Sequence, residues 1–451
     1  MTRFPQSRTR LFTLLACIFL SPLAVLATPF AATAAVPDPV LEWIGIMNDT
    51  TLTAKTNPLY STRVVALVSA SVFDAVNGID PRFQPLHVKP NAPHNASQRA
   101  AAIQAAYVIL VDLFPDQKDA LGGKRDASLA ALGSIEKASS IKAGIAWGQT
   151  VADAIWAWRL TDGFAPAPPP FVGVLGFLSS PSSIGVWRPT PTGNATGAGP
   201  QFASMTPWAL IRPSQFRPAP PLDLTSTEYA ADVNETKEKG NSKSALPDDQ
   251  NTAFFWAGNT PLYWNRIASE LSAARNLTLT ENAHLFALLN ISMGDAGIAC
   301  WDAKYRYVFW RPITAIRNAD IDNNPATDVD PTWQPVLDFT STGALGGPGT
   351  PAHPEYPSGH STVSGAAAFI LAAEFGENTA FDVTSETGPG TRHFANFSAA
   401  TSQIADARVF AGIHFRTACI RGNLVGRAVA GYISTHAMRA IGDRDEEENR
   451  D

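Results

Sequence analysis

Pro357-Ser358-Gly359-His360 separates a long loop rich in glycine and proline from a run of small residues, Ser361 to Phe375, that reads as a helix. The start of a helix leaves backbone N–H groups without intrahelical partners and carries the positive end of the helix dipole. A Ser hydroxyl, a Gly that lets backbone approach and a His placed there form a cradle for an oxyanion. Two basic stretches flank the tetrapeptide, Lys304 to Arg311-Pro312 upstream and Arg408 to His414 downstream. The cradle works only if the fold brings all three together.

Outward from that point the pattern is helical. Thr62–Val76, Ser97–Leu113, Asp116–Leu132 and Ser139–Arg159 carry apolar residues at three- and four-residue steps, with Asn77-Gly78 and Asp162-Gly163 as stops. They predict an antiparallel N-terminal bundle over residues 36–162. Asp74 on one of these helices reads as a cap or a buried polar partner rather than a catalyst. Residues 163–221 hold thirteen of the chain's 35 prolines, with Phe171, Phe177, Trp187, Phe202, Trp208 and Phe216 among them. Side chains that large and apolar need burial, so the segment is expected to be an ordered crossover wrapped over the helices. Helices resume at Ser226–Lys239, Thr260–Ala274 and Thr280–Trp301, with Thr280 as the expected N-cap, and a second long loop spans about 318–357. Residues 222–451 then form a C-terminal bundle that carries the oxyanion site. The expected fold class is all-α, helical bundles joined by long ordered loops. Asp320, Asp322, Asn324, Asp328 and Asp330 lack the glycine and terminal Glu of a calcium-binding EF-hand and read as a solvated loop.

At 451 residues, 45% apolar and 16% charged, the chain can bury a sizeable core and has the profile of a globular protein. Residues 1–35 read as a secretory signal: Arg3, Arg8 and Arg10, an apolar run from Leu11 to about Leu26, then Ala-Thr-Ala-Ala at 32–35. The expected location is periplasmic or extracellular, with no membrane span in the mature chain. Losing the signal removes three Arg and no acidic residue, so what remains is more acidic than the whole chain's −6. That charge argues against nucleic acid or an anionic membrane as partner, and it makes any Lys, Arg and His cluster a local feature. Cys17 leaves with the signal, and Cys300 and Cys419 either pair once or stay free. Asn48, Asn95, Asn194, Asn234, Asn276, Asn290 and Asn396 sit in Asn-x-Ser/Thr triplets, which matter only in a host that glycosylates.

Lys304 and Arg311 are seven residues apart, close to two helical turns. The spacing predicts both on one helix face, with Pro312 placing the pair at a helix end where their heads turn into a pocket. Taken alone, the stretch is better explained as a basic surface face lying over its aromatic neighbours. Arg408 and His414 are six apart, about 120° apart on a straight helix, and Gly412 predicts a break that lets them converge. A single His among apolar residues is ordinarily a satisfied core residue. Together, two Arg, a Lys, a Ser-Gly helix start and two His in an acidic chain make a site for a tetrahedral oxyanion, with guanidinium forks matched to its oxygens.

These stretches, Lys-x6-Arg-Pro, Pro-Ser-Gly-His and Arg-x5-His, resemble the signature segments of the vanadium-dependent haloperoxidase and type 2 phosphatidic acid phosphatase superfamily. Phe309-Trp310-Arg311-Pro312 and Tyr356-Pro357-Ser358-Gly359-His360 favour the haloperoxidase branch, whose larger all-helical enzymes have an N-terminal bundle. The resemblance implies vanadate as cofactor, its oxygens held by Lys304, Arg311, Ser358, Gly359 and Arg408. It implies His414 as the axial ligand to the metal, and places His360, the acid–base group, with His414 and Lys304 as the catalytic set. Hydrogen peroxide, a halide and an organic acceptor are the implied partners, and the resemblance allows a homo-oligomer. His353, seven residues before His360, matches a position that is often His in bromide-using members and Phe in chloride-using ones. It is the candidate halide-site residue and leans toward bromide or iodide.

Two alternatives stay open. An acid phosphatase for soluble phosphomonoesters would hold phosphate in the same pocket, with His414 forming a phosphohistidine and His360 protonating the leaving group. A non-catalytic oxyanion-binding protein would keep only the cage. The third stretch departs from the superfamily pattern, with Ala407 where Ser is usual and Ala418 where Asp is usual. Asp295 and Asp302, on the helix leading to Lys304, are the candidates to supply the missing carboxylate.

Overall fold

Proline marks where several of the helices begin. Pro39, Pro58, Pro247, Pro261 and Pro312 each sit in the first turn of a helix, where a missing N–H breaks no hydrogen bond. The structure is a computed structural model that describes residues 37–173, 183–191, 193–339, 343 and 346–442. The signal expected at residues 1–35 and Phe177 of the crossover lie outside the described residues.

The N-terminal half contains α1 (Pro39–Thr53), α2 (Pro58–Asn77), α3 (Gln98–Leu113), α4 (Lys118–Leu132) and α5 (Ala138–Arg159). After the proline-rich crossover come α6 (Thr227–Lys239), α7 (Pro247–Phe255), α8 (Thr260–Arg275), α9 (Leu279–Tyr307) and the short α10 (Pro312–Arg317). The chain ends with α11 (Gly359–Phe375), a hairpin of β1 (Phe381–Thr384) and β2 (Thr391–Phe394), α12 (Phe397–Phe410) and α13 (Arg416–His436). The all-α expectation holds, with that one antiparallel hairpin added, Phe381 opposite Phe394.

The two halves share a core along α2 and α9, and residues 37–451 form one compact unit. Both helices are long and apolar enough to cross a bilayer, with mean hydropathy 1.4 and 1.3, which the sequence reading did not anticipate. Instead, 94% and 89% of their apolar windows are buried inside the protein. The N-cap of α9 is Thr278, not Thr280. The Thr278 hydroxyl accepts from Glu281 N–H and the Glu281 carboxylate accepts from Thr278 N–H, a reciprocal capping box.

Buried carboxylates tie the loops to this core. Asp74 on α2 accepts backbone N–H bonds from Leu86, His87 and Val88 at 2.8, 2.9 and 2.8 Å. Asp295 on α9 does the same for Trp208, Ala209 and Leu210 of the crossover, at 2.7, 2.9 and 2.9 Å. The crossover is held again at Arg217, which grips both oxygens of Asp302 at 2.6 and 2.7 Å, and by Tyr307, whose hydroxyl donates to Pro218 O at 2.6 Å. Asp295 and Asp302 are therefore committed to the crossover. An amide at 295 would turn an NH2 group toward one of the three donors, so Asp295→Asn is expected to cost about 1–3 kcal/mol, read as a lower urea midpoint at unchanged slope.

One expectation changes, and one left open by the sequence is decided. Asp322 and Asn324 are buried rather than solvated: Asp322 accepts from Asn324 N–H and the Thr327 hydroxyl, and the Asn324 amide donates to Leu224 O and Ser226 O. Cys300 and Cys419 are both free thiols, and both are buried. Of the Asn-x-Ser/Thr positions, Asn48 and Asn290 are buried and closed to modification in the folded chain.

Candidate active site

The helix start and the Arg408–His414 stretch meet in one cavity of about 320 Å³, lined in part by Trp301, His353, Gly359, His360, Arg408 and His414, and Arg311 of the first stretch reaches its His353 and His414. Pro58, Leu59, Pro261, Pro351 and Val363 supply apolar walls.

Lys304 occupies the last turn of α9, fully buried, its ammonium donating to Pro354 O at 2.8 Å and Glu355 O at 2.9 Å. Burial pushes its pKa down to about 7. Arg311 does not share a helix face with it. The helix stops at Tyr307, and Val308 turns left-handed at φ 51°, a conformation a β-branched side chain resists. The peptide groups of Val308 and Trp310 are pinned by Trp187 N–H donating to Val308 O at 2.7 Å and Trp310 N–H donating to Gly185 O at 2.9 Å. That turn sends Arg311 back into the core as the N-cap residue of α10. Its guanidinium donates to the carbonyls of His353, Ile413 and Pro351 at 2.9, 2.7 and 3.0 Å, and faces the His353 ring and His414 Nε2 at 3.0 and 3.3 Å. Burial pushes its pKa down to about 9, opposed by Glu355.

Ser358 caps α11, its hydroxyl accepting from the Ser361 N–H and hydroxyl, and its own N–H donates to Ala418 O at 3.0 Å. Gly359 lies so near Trp301 that a Cβ would come within 3.2 Å of the indole. His360 points its Nε2 at Gly258 O, 3.3 Å away. The break expected at Gly412 is present, with φ +74°, and it lets Arg408, at the end of α12, and His414 reach the same cavity. Arg408 donates to Trp256 O at 3.2 Å while its buried Nε has no hydrogen-bond partner. Its pKa falls to about 10 through burial. His353, His360 and His414 are all pushed well below the ordinary imidazole value, first by burial and then by the neighbouring cations. His353 also packs on Trp301, ring centroids 4.9 Å apart.

Sequence reasoning missed Glu355. It is fully buried, and its Oε1 lies 2.8 Å from His414 Nδ1 and accepts Phe415 N–H at 2.9 Å. Burial pushes its carboxyl up to about 8, against the pull of Phe415 N–H, Lys304 and Arg311. The Glu355 carboxyl thus feels the charge of Lys304 and Arg311 while its hydrogen bonds go to His414 and Phe415 N–H.

Residues 284–443, which contain all the charged and imidazole side chains of this site, match the family described as the VCPO second helical-bundle domain. The chain is 25% identical over 277 residues to the vanadium chloroperoxidase of Curvularia inaequalis, a match that covers 53% of this chain. It spans 44% of that relative's length. The crystal structure of a bacterial vanadium-dependent iodoperoxidase superposes with a TM-score of 0.74 at 25% identity, over 90% of this chain and 98% of that one. An apo-type bacterial vanadium-dependent chloroperoxidase shares the fold at a TM-score of 0.64 and 19% identity, over 83% and 93% of the two chains. Residues 284–443 carry the helical-bundle domain of the vanadium haloperoxidases.

The oxyanion that gives this family its name fits the residues present. Arg408 Nε is a buried donor without an acceptor, and Lys304 has spent two of its three protons on carbonyls. The Arg311 contacts to the two imidazoles are ones that anion oxygens can replace. Burying three cations beside a single carboxylate is costly unless an anion joins them.

Proposed function

We propose that the protein is a vanadium-dependent haloperoxidase that uses hydrogen peroxide to oxidise iodide or bromide and passes the halogen to an organic acceptor. The observation that carries this reading is the set of buried basic groups at the cavity, with Arg408 in its wall, Arg311 against the lining residues His353 and His414, and Lys304 held on the adjoining loop through Pro354 O and Glu355 O. Lys304, Arg311, Ser358, Gly359 and Arg408 would hold the oxygens of vanadate, and His414 would face its metal. When bound, vanadate supplies a Lewis acid that makes hydrogen peroxide electrophilic toward halide. The overall balance is peroxide, halide and one proton in, hypohalous acid and water out, with the halide giving up two electrons.

The chain's own groups handle placement and protons. His360 is held against Gly258 O and kept uncharged by burial and by Arg408, so it is ready to accept a proton at the cavity floor and return it. His353, between Trp301 and Arg311, offers a weakly hydrated position where a large halide sits beside a cation. The likeness to an iodoperoxidase supports iodide, and the arginine-led apolar run at residues 3–26 supports export.

Purified protein given vanadate, peroxide and iodide or bromide is expected to halogenate a phenolic acceptor. Added phosphate should suppress the reaction by competing for the same cage. Hydrolysis of an aryl phosphate, with vanadate acting only as inhibitor, would replace this reading by the phosphatase one. If neither anion raises the melting temperature, the cavity binds no oxyanion, because a ligand that prefers the folded state must stabilise it.

A further inference from the structure

An imidazole can present a lone pair to an anion's central atom only if the hydrogen sits on its other nitrogen. In His414 two fixed donors settle which nitrogen that is. Phe415 N–H, which can only donate, shares Glu355 Oε1 with His414 Nδ1, at 2.9 and 2.8 Å. With the carboxyl ionised, Oε1 is therefore an acceptor on both sides, and Nδ1 carries the hydrogen that meets it. On the far side, Arg311 Nη1, also a donor only, lies 3.3 Å from Nε2. Nε2 is thus the bare nitrogen, on the side where Arg311 stands.

The carboxylate comes from an unexpected place. The residue four positions after His414 is Ala418, whose side chain is buried and cannot accept. Glu355 reaches the ring from the loop before α11 instead, and the same residue's backbone oxygen accepts from Lys304 while its N–H donates to Phe309 O at 2.9 Å. One residue thereby sets the register of two of the groups that surround the cavity, Lys304 through its main chain and His414 through its side chain.

We propose that Glu355 is the positioning residue of this site, locking His414 as the Nδ1–H tautomer with Nε2 free for the anion, in place of the acid absent at position 418. The inference rests on the haloperoxidase reading only in naming vanadate as the anion. Partners of this kind, one step removed from a ligating His, typically change metal affinity 10–100-fold when lost.

The test compares wild type, Glu355→Gln and Glu355→Leu by 15N NMR of the histidine rings without vanadate, the His414 signals being assigned by their loss in His414→Gln. Vanadate affinity is then measured by titration. Wild type is expected to show Nδ1–H and a bare Nε2. Glu355→Gln should keep that pattern, because Phe415 N–H orients the amide oxygen toward the ring, and should bind vanadate within about threefold of wild type, below that range. Glu355→Leu should populate the other tautomer and bind vanadate about 10–100-fold more weakly. A wild type with hydrogen on Nε2, a Gln variant with mixed tautomers, or a folded Leu variant that keeps both tautomer and affinity each overturns the proposal. Should the Leu variant not fold, wild type and the Gln variant still decide it. A wild type that binds no vanadate would remove the haloperoxidase reading and leave the tautomer result standing.

Discussion

His414→Ala abolishes the vanadate-induced rise in melting temperature and lowers halide oxidation by more than about 100-fold, beyond the 10–100-fold range expected for an outer partner of the same ring. The ring is held at both nitrogens by groups of opposite character, Glu355 at Nδ1 and Arg311 at Nε2, and its Nδ1 partner is a carboxyl where that of His353 is the Pro354 carbonyl. Its removal takes away the one neutral lone pair that Arg311 faces across that side. A saturating ligand present at 100 times its Kd stabilises the folded state by about 2.7 kcal/mol, and that increment should vanish from the thermal unfolding curve of the variant. His360→Ala is the contrasting case. Its ring touches Gly258 O and no cationic side chain by hydrogen bond among the described residues, so vanadate stabilisation should persist while turnover falls about 10²–10⁴-fold, the range for losing a general acid or base. Vanadate stabilisation retained by His414→Ala and lost by His360→Ala would reverse the two roles.

The contrast between these residues and Glu355 shows what sequence could carry. The Ser-Gly-His helix start and the break at Gly412 are local facts: an N-cap hydroxyl, a residue without Cβ at φ +74°. Local facts have local signatures, and both positions read correctly. The capping box at Thr278 and Glu281 was equally legible, since Thr-x-x-Glu before an apolar run announces it, and Thr280 drew attention from it only by standing nearer the apolar run. The shared helix face of Lys304 and Arg311 failed for a different reason. Left-handed geometry at Val308 is imposed by pairing with Trp187 and has no residue-level mark, because Val is among the residues least suited to it. Glu355 stands two residues before the quoted tetrapeptide, yet no periodicity relates it to a His 59 positions later. The motif points to position 418 and the helix to 295 and 302 for the acid, whereas the fold supplies a carboxyl from the loop that Lys304 anchors. Asp295 and Asp302 carried the right charge and burial, and are engaged by the crossover.

Gly426→Ala should lower the melting temperature and weaken vanadate binding together, because it pries apart the two helices whose starting turns close the site. Helix α13 lies so close to α11 at this point that an added Cβ would stand 2.7 Å from Ala366 N and 3.0 Å from the Thr362 carbonyl carbon. Both atoms are backbone, so neither can swing aside, and overpacking of this kind costs about 1–3 kcal/mol or more. The displacement acts on the site through one hydrogen bond. Ser358 N–H, at the head of α11, donates to Ala418 O at the head of α13, 3.0 Å away, and His414 stands two residues before α13 begins. Separating the helices therefore draws Ser358 and His360 away from Arg408 and His414. Gly431→Ala on the same helix is the control, since its Cβ would meet only the edge of Phe369 at 3.4 Å, an ordinary contact, and replacing a helical Gly by Ala is otherwise favourable by about 0.5–1 kcal/mol. A Gly426→Ala protein that melts and binds vanadate like the wild type would show that the α11–α13 approach is not what holds the cradle shut.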